Sequence, residues 1–199
     1  MGTPTHPVVT HTERRVLHLR EWVAADAAAC AAIYAPYVLE SCVSFELRAP
    51  DAAEIAQRLQ LHQSDGFPVL VAHAQGRVLG YAYAAAFRAR EAYRGTVENS
   101  VYIDQGVRRG GVGSALMQHL IGSCAARGYR QMVAVIGDSA NLDSQAFHRR
   151  LGFVDAGVLR GVGRKFGRDL DIVLMQRALG GSDAAQDAAA FIAIAGDPG

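Results

Sequence analysis

Between Arg108 and Ser114 the chain reads R-R-G-G-V-G-S, two arginines and three glycines set just ahead of an amphipathic run. A helix N-terminus carries unpaired N–H groups and a partial positive charge, and glycine lets another group approach that backbone with no Cβ in the way. Arg108, Arg109, Gly110, Gly111, Val112, Gly113 and Ser114 can therefore hold an anion the size of a pyrophosphate. The same spacing also serves a plain strand-to-helix turn. Two familiar phosphate patterns do not fit: no Lys-Ser/Thr pair follows the glycines, and no GxGxxG opens a chain-initial βαβ unit.

Other chemistry-bearing residues surround this turn. Glu98 sits in T-V-E-N-S-V-Y-I, where Thr96, Glu98 and Ser100 alternate against Val97, Asn99 and Val101; it is either an outward strand carboxylate or a group facing a site. Arg88 and Arg90 are two apart, so an extended segment turns both to one side, with Tyr93 following. Two guanidiniums suit a substrate with a carboxylate and a second anionic or strongly polar group, while the plain alternative is a solvated loop pair. His148 is a lone histidine in a short helical run, equally suited to chemistry or packing. Asn141, after V-I-G-D-S-A, has the chemistry of a helix N-cap as well as of a ligand contact.

The elements that must position these residues are legible from periodicity. R-V-L-H-L-R alternates as a strand, and A-A-D-A-A-A-C-A-A-I-Y-A-P-Y-V then takes helical spacing, with Asp26 near its start. Pro50 and Asp51 open a second helix whose Ile55, Leu59 and His62 form one stripe. Two apolar runs flank Ala74-Gln75-Gly76-Arg77, a hairpin with glycine in the turn. A strand over T-V-E-N-S-V-Y-I-D leads to the glycine turn. A helix closed by Gly128, a strand Q-M-V-A-V-I-G, a short helix closed by Gly152 and a last strand L-D-I-V-L-M-Q-R-A-L follow. The order implies a mixed α/β (α+β) fold, a mostly antiparallel sheet flanked by helices, with one parallel step across the glycine-entered helix.

Half of the 199 residues are apolar, enough for one sizeable core. Twenty basic against 19 acidic residues leave a formal charge of +1, which gives no field for steering onto a nucleic acid. Cys30, Cys42 and Cys124 show neither CxxC spacing nor a pairing pattern, so free thiols are expected, with no metal site. No segment has signal-peptide or membrane-span character, which points to a cytoplasmic protein with no membrane partner. Residues 1–14 read as a flexible leader, 15–179 as the folded domain and 180–199 as a tail.

Taken jointly, I-Y-A-P-Y-V, S-F-E, G-Y-A-Y-A, A-Y-R-G-T-V-E-N-S-V-Y-I, R-R-G-G-V-G, Q-M-V-A-V-I-G-D-S-A-N, H-R-R-L-G-F and V-L-M-Q-R resemble the GNAT superfamily of acyl-CoA N-acyltransferases, in its phosphinothricin and methionine sulfoximine N-acetyltransferase branch. The resemblance implies acetyl-CoA as co-substrate, a small amino-acid-like acceptor, a homodimer and direct transfer. It implies Glu98 as general base, the backbone of Val101, Tyr102 and Ile103 against the thioester, the R-R-G-G-V-G-S turn on the pyrophosphate and Asn141 on the pantetheine arm. It implies His148 as general acid or as an ordering group, where much of the superfamily has tyrosine. Arg88, Arg90 and Tyr93 would contact the substrate, and Tyr34, Phe45 and Tyr83 would be either its walls or core. Lys165-Phe166-Gly167 departs from the branch's frequent Lys-His-Gly, and Arg48, in the segment after S-F-E, stands where the branch commonly has an acidic or neutral residue, so substrate preference is open. Acetylation of a protein amine, or CoA binding without catalysis, are the competing readings.

Overall fold

The computed structural model describes residues 17–107 and 110–180; the expected leader, Arg108, Arg109 and the tail beyond Gly180 lie outside them. The chain runs β1 (His18–Glu21), α1 (Ala27–Leu39), α2 (Ala52–Ser64), β2 (Val69–Ala74), β3 (Arg77–Ala86), β4 (Thr96–Ile103), α3 (Val112–Ala126), β5 (Gln131–Gly137), α4 (Leu142–Arg150), β6 (Val154–Lys165) and β7 (Arg168–Ala178). The strands form one sheet in the order β1-β2-β3-β4-β5-β7-β6. Every neighbouring pair is antiparallel except β4 and β5, the step bridged by α3.

Local chemistry accounts for the boundaries. Asp51 accepts from the Glu54 N–H at 2.9 Å and so caps α2. The β2–β3 hairpin turns through Gln75 at φ 51° and Gly76 at φ 74°, both left-handed, which matches the twist of the flanking strands. One sheet face buries Leu116, Met117 and Leu120 of α3 over Met132 and Met175; the other packs Val38 of α1 and Leu59 of α2 over Val71 and Tyr81. Cys30 and Cys124 belong to these cores, and burial pushes both thiols up to about 12. Cys42 is half-buried, and all three are free.

β6 is a strand that its three glycines disguise, because Gly157, Gly161 and Gly163 interrupt the alternation. Its pairing with β7 slips between Asp155 and Gly157 and again between Leu159 and Gly163. Asp171 holds the second slip: its carboxylate accepts from Gly161 N–H and from the Ser139 hydroxyl, each at 2.9 Å. No helix among the described residues is long and apolar enough to cross a membrane.

Candidate active site

The site begins where the parallel pair comes apart. β4 and β5 pair only from Thr96–Gln131 to Asn99–Ala134, yet β4 continues to Ile103 and β5 to Gly137. Between the diverging ends lies a cavity of about 70 Å³, bordered by Asn99, Val101, Val135, Asn141, Ser144 and His148. Backbone direction follows from the ladder on the other side. Asp104 N–H donates to Leu79 C=O at 2.9 Å, and alternate residues of an antiparallel strand bond to the same neighbour, so Tyr102, Ser100 and Glu98 turn their backbone groups to β3. Asn99, Val101 and Ile103 turn theirs to the split.

Of the three residues expected to present backbone N–H groups to a thioester, these directions separate one. Tyr102 N–H faces β3. Ile103 N–H donates to the Tyr37 hydroxyl at 3.1 Å. Val101 N–H lies beyond the last β4–β5 pair and has no strand partner there.

At the mouth of the split α3 follows Gly111, whose φ of 80° carries the chain from β4 into the helix, and no side chain among the described residues caps this end. A Cβ on Gly113 would lie 3.5 Å from Phe147 and 3.6 Å from Ile103, so a larger side chain there would press on both at the entrance of α3. Gly110, Gly111, Val112, Gly113 and Ser114 thus form an open, uncapped turn, with Arg108 and Arg109 outside the described residues. Asn141 does cap a helix: its Oδ1 accepts from Ser144 N–H at 3.2 Å at the start of α4, while the residue also borders the split.

His148 is buried on α4 and both ring nitrogens are engaged. Nδ1 lies 2.9 Å from Ser144 C=O, which can only accept, so Nδ1 carries a hydrogen. Nε2 lies 3.2 Å from Asn99 Nδ2 and accepts from it. Burial lowers the ring's pKa against the smaller effect of the Ser144 bond. The ring is therefore neutral and ties α4 to Asn99, the residue at the apex of the split.

Glu98 occupies the opposite face of β4, half-buried, with Ser100 and Tyr102 beyond it and Tyr83 across the strand from Ser100. Burial raises its pKa, and the charge of Arg88 partly offsets this. Arg88 is exposed and lies over the Phe87 ring at 5.0 Å; Arg90 and Tyr93 are exposed in a segment that bends at Phe87, Ala89 and Arg90 rather than running extended. Tyr34 is buried, edge-on to Tyr102 at 4.6 Å, donating to Glu46 at 3.1 Å and sharing a 2.7 Å bond with Ser44. Phe45 is wedged between Gly137 and Gly163, where a Cβ would come within 3.0 Å and 2.1 Å of its ring.

A family profile for the acetyltransferase (GNAT) domain matches residues 19–174, the span that holds the split, the uncapped turn and Glu98. The chain belongs to the GNAT acetyltransferase family. As a GNAT enzyme it is an acetyl-CoA-dependent N-acetyltransferase. A phosphinothricin N-acetyltransferase of Alcaligenes faecalis is 47% identical over 158 residues, 79% of this chain and 80% of the relative. An L-methionine sulfoximine/L-methionine sulfone acetyltransferase of Pseudomonas aeruginosa is 40% identical over 159 residues, 79% of this chain and 92% of the relative. A solved GNAT phosphinothricin acetyltransferase of Sinorhizobium meliloti, in complex with AcCoA, superposes with a TM-score of 0.79 at 44% identity, over 84% of this chain and 91% of that one.

In this GNAT chain several site-side residues carry no sequence signal of their own. Arg58 of α2 donates to both oxygens of Glu46, at 2.6 and 3.2 Å, and also reaches Glu54. Lys165, buried at the end of β6, donates to Ser44 C=O at 2.6 Å. Together they anchor the 42–46 loop that carries Phe45. The Glu54–Arg58 spacing of i, i+4 was the one local hint, since it predicts the pair but not the loop they hold. A larger depression, about 520 Å³, lies between the second half of α3 and the start of β6, and Glu98, Val101, Asn141 and His148 do not border it.

Proposed function

We propose that this enzyme moves acetyl from acetyl-CoA to the amine of a small amino-acid analogue of the phosphinothricin or methionine sulfoximine type, by direct transfer. The observation that carries the reading is the β4–β5 split, where β4, the strand that bears Glu98, turns the Val101 N–H away from β3 with no β5 partner and runs on to an uncapped helix turn. The names of the relatives support the substrate class.

Acetyl-CoA supplies the activated acetyl group. The N–H groups from Gly111 to Ser114 receive its pyrophosphate, Gly110 N–H being engaged by Val107 C=O at 3.3 Å, and Val101 N–H stabilises the charge that develops on the carbonyl oxygen. Most of an amine is protonated near neutrality, and Glu98, held towards neutral pH by burial, takes the proton that makes it a nucleophile. The N–C bond forms as the C–S bond breaks, and the sulfur leaves as a thiolate that solvent protonates. His148 acts as an ordering group, because its neutral ring has no free N–H to give. Arg88 and Arg90 receive the acceptor's anionic groups, with Tyr93, Tyr83 and Tyr34 around them. Three free thiols fit a cytoplasmic setting.

The working form is a homodimer. Val154, Val158, Leu159 and Val162 of β6, an edge strand, and Phe166 in the turn after it are exposed and apolar, the kind of edge that folded proteins cover. Sedimentation at micromolar concentration should give twice the chain mass; a monomer removes this claim.

The decisive test is free-CoA release over a panel of amino acids and their sulfoximine, sulfone and phosphinate analogues, with Glu98→Gln alongside. Wild type should acetylate members of the panel, and Glu98→Gln should lose a hundredfold or more in kcat at neutral pH, partly regained as pH rises. Equal rates in both proteins would refute Glu98 as the base, and no turnover on any member would refute the substrate class.

A further inference from the structure

β7 ends at Ala178, and the chain beyond it starts from a fixed place. Leu179 is buried, with its N–H donating to Arg130 C=O at 2.9 Å, and Gly180, at a bend, borders the 520 Å³ depression. Ile121, Leu151, Val154 and Leu179 give that depression apolar walls, and Val154 among them is exposed. Arg150 and Arg177 give it two positive charges, and no acidic side chain among the described residues borders it.

Residues 181–199 follow, outside the described residues and beyond the 19–174 span of the family profile. Their sequence has the complementary character. Asp183 and Asp187 precede A-A-A-F-I-A-I-A, Asp197 comes after it, and there is no lysine or arginine. Asp183, Asp187, Phe191 and Ile194 recur every three to four residues, a spacing that sets two acids and two large apolar side chains on one helical stripe.

We propose that the depression is the seat of the chain's own tail, with Phe191 and Ile194 entering between α3 and the end of α4 and Asp183 and Asp187 facing Arg150 and Arg177. The inference is independent of the acetyl-transfer reading. Phe191 follows Gly180 by 11 residues, about 16 Å at the helical rise of about 1.5 Å per residue, so the segment is long enough to fold back over the rim it starts from. A short tether also gives it an effective concentration on the order of 1 mM, which fills a contact too weak to hold a separate partner. Opposite charges guide the approach, and since exposed ion pairs hold little, covering Val154 and the apolar walls holds the contact. The seated side chains press on Leu151 and Gly152, which close α4 three and four residues after His148, and so brace the helix that carries it.

Chymotrypsin tests the seat on the full chain, because it prefers a large apolar residue and tracks how often that residue is undocked. Release of residues 192–199, read by mass spectrometry, should be at least fivefold faster in Arg150→Glu, which changes an exposed side chain, than in wild type. Adding Asp183→Arg and Asp187→Arg to that variant should restore the slow rate. Equal rates in wild type and Arg150→Glu, or no rescue, would overturn the proposal. Nuclear Overhauser contacts identify the occupant. Chains labelled on both phenylalanine rings and aliphatic methyls should connect Phe191 to Ile121 and Val154, and the contacts should vanish in a mixture of chains carrying one label each. Contacts that persist in the mixture would seat the tail on a second copy, and contacts missing from both samples would leave the depression without it; either result overturns the assignment.

Discussion

Gly163→Ala is the substitution whose effect the geometry fixes most closely. A Cβ at this position would lie 2.1 Å from Phe45 Cε2 and 2.4 Å from Cδ2, so the ring must move. On its other side the ring packs against the Gly137 backbone, which limits how far it can retreat towards β5. The 42–46 loop has to swing instead, against the Lys165 bond to Ser44 C=O. Overpacking of this kind costs about 1–3 kcal/mol, and the entropy that alanine removes from the unfolded chain returns about 0.4–1 kcal/mol. The net is a loss on the order of 1–2 kcal/mol, which for a chain of this size lowers Tm by about 2–8 °C. Differential scanning calorimetry should show that drop. Adding Phe45→Ala should make the two changes non-additive by about 1 kcal/mol, because the second removes what the first collides with. An unchanged Tm in Gly163→Ala, or strict additivity in the pair, would refute the wedge.

Gly113→Val should crowd the entrance of α3 against Phe147 and Ile103 and weaken acetyl-CoA about tenfold, equivalent to about 1.4 kcal/mol, as calorimetry would measure; unchanged affinity in a folded protein would move the pyrophosphate elsewhere. Arg88→Met bears on pH. Burial raises the Glu98 pKa and Arg88 opposes the rise, so losing the cation lifts the pKa further. The base works only when ionised, and the acid limb of the kcat/KM profile should therefore move to higher pH; a limb that stays put or moves down contradicts this.

The helices were legible from an apolar stripe and a recognisable end, such as Asp51 ahead of α2 or Gly128 after α3, and central strands such as β2 and β5 from short, nearly continuous apolar runs. β6 was harder to read, since both of its faces are exposed and glycines break its period. The glycine turn and Glu98 could be marked as candidates by residue type. What spacing could not tell was which of Val101, Tyr102 and Ile103 presents its N–H to the split, because that depends on the register with β3 and on a tyrosine 66 residues away in sequence. His148 was open between acid and packing for a similar reason: its partners, Asn99 and Ser144 C=O, decide its proton, and only one is local. The Lys165 and Arg58 anchors on the 42–46 loop are long-range contacts of the same kind.

The placement of the three cysteines bears on how turnover can be measured. Free CoA is a thiol, and the convenient colorimetric reagents attack thiolates of any origin. With Cys30 and Cys124 fully buried and their thiols pushed up to about 12, neither supplies thiolate to such a reagent while the protein stays folded. The enzyme's own contribution reduces to Cys42, at most one equivalent per chain and constant through a time course. Continuous detection can therefore run with enzyme in the same cuvette, and a slow climb beyond one equivalent in a substrate-free blank would report unfolding before any loss of rate revealed it.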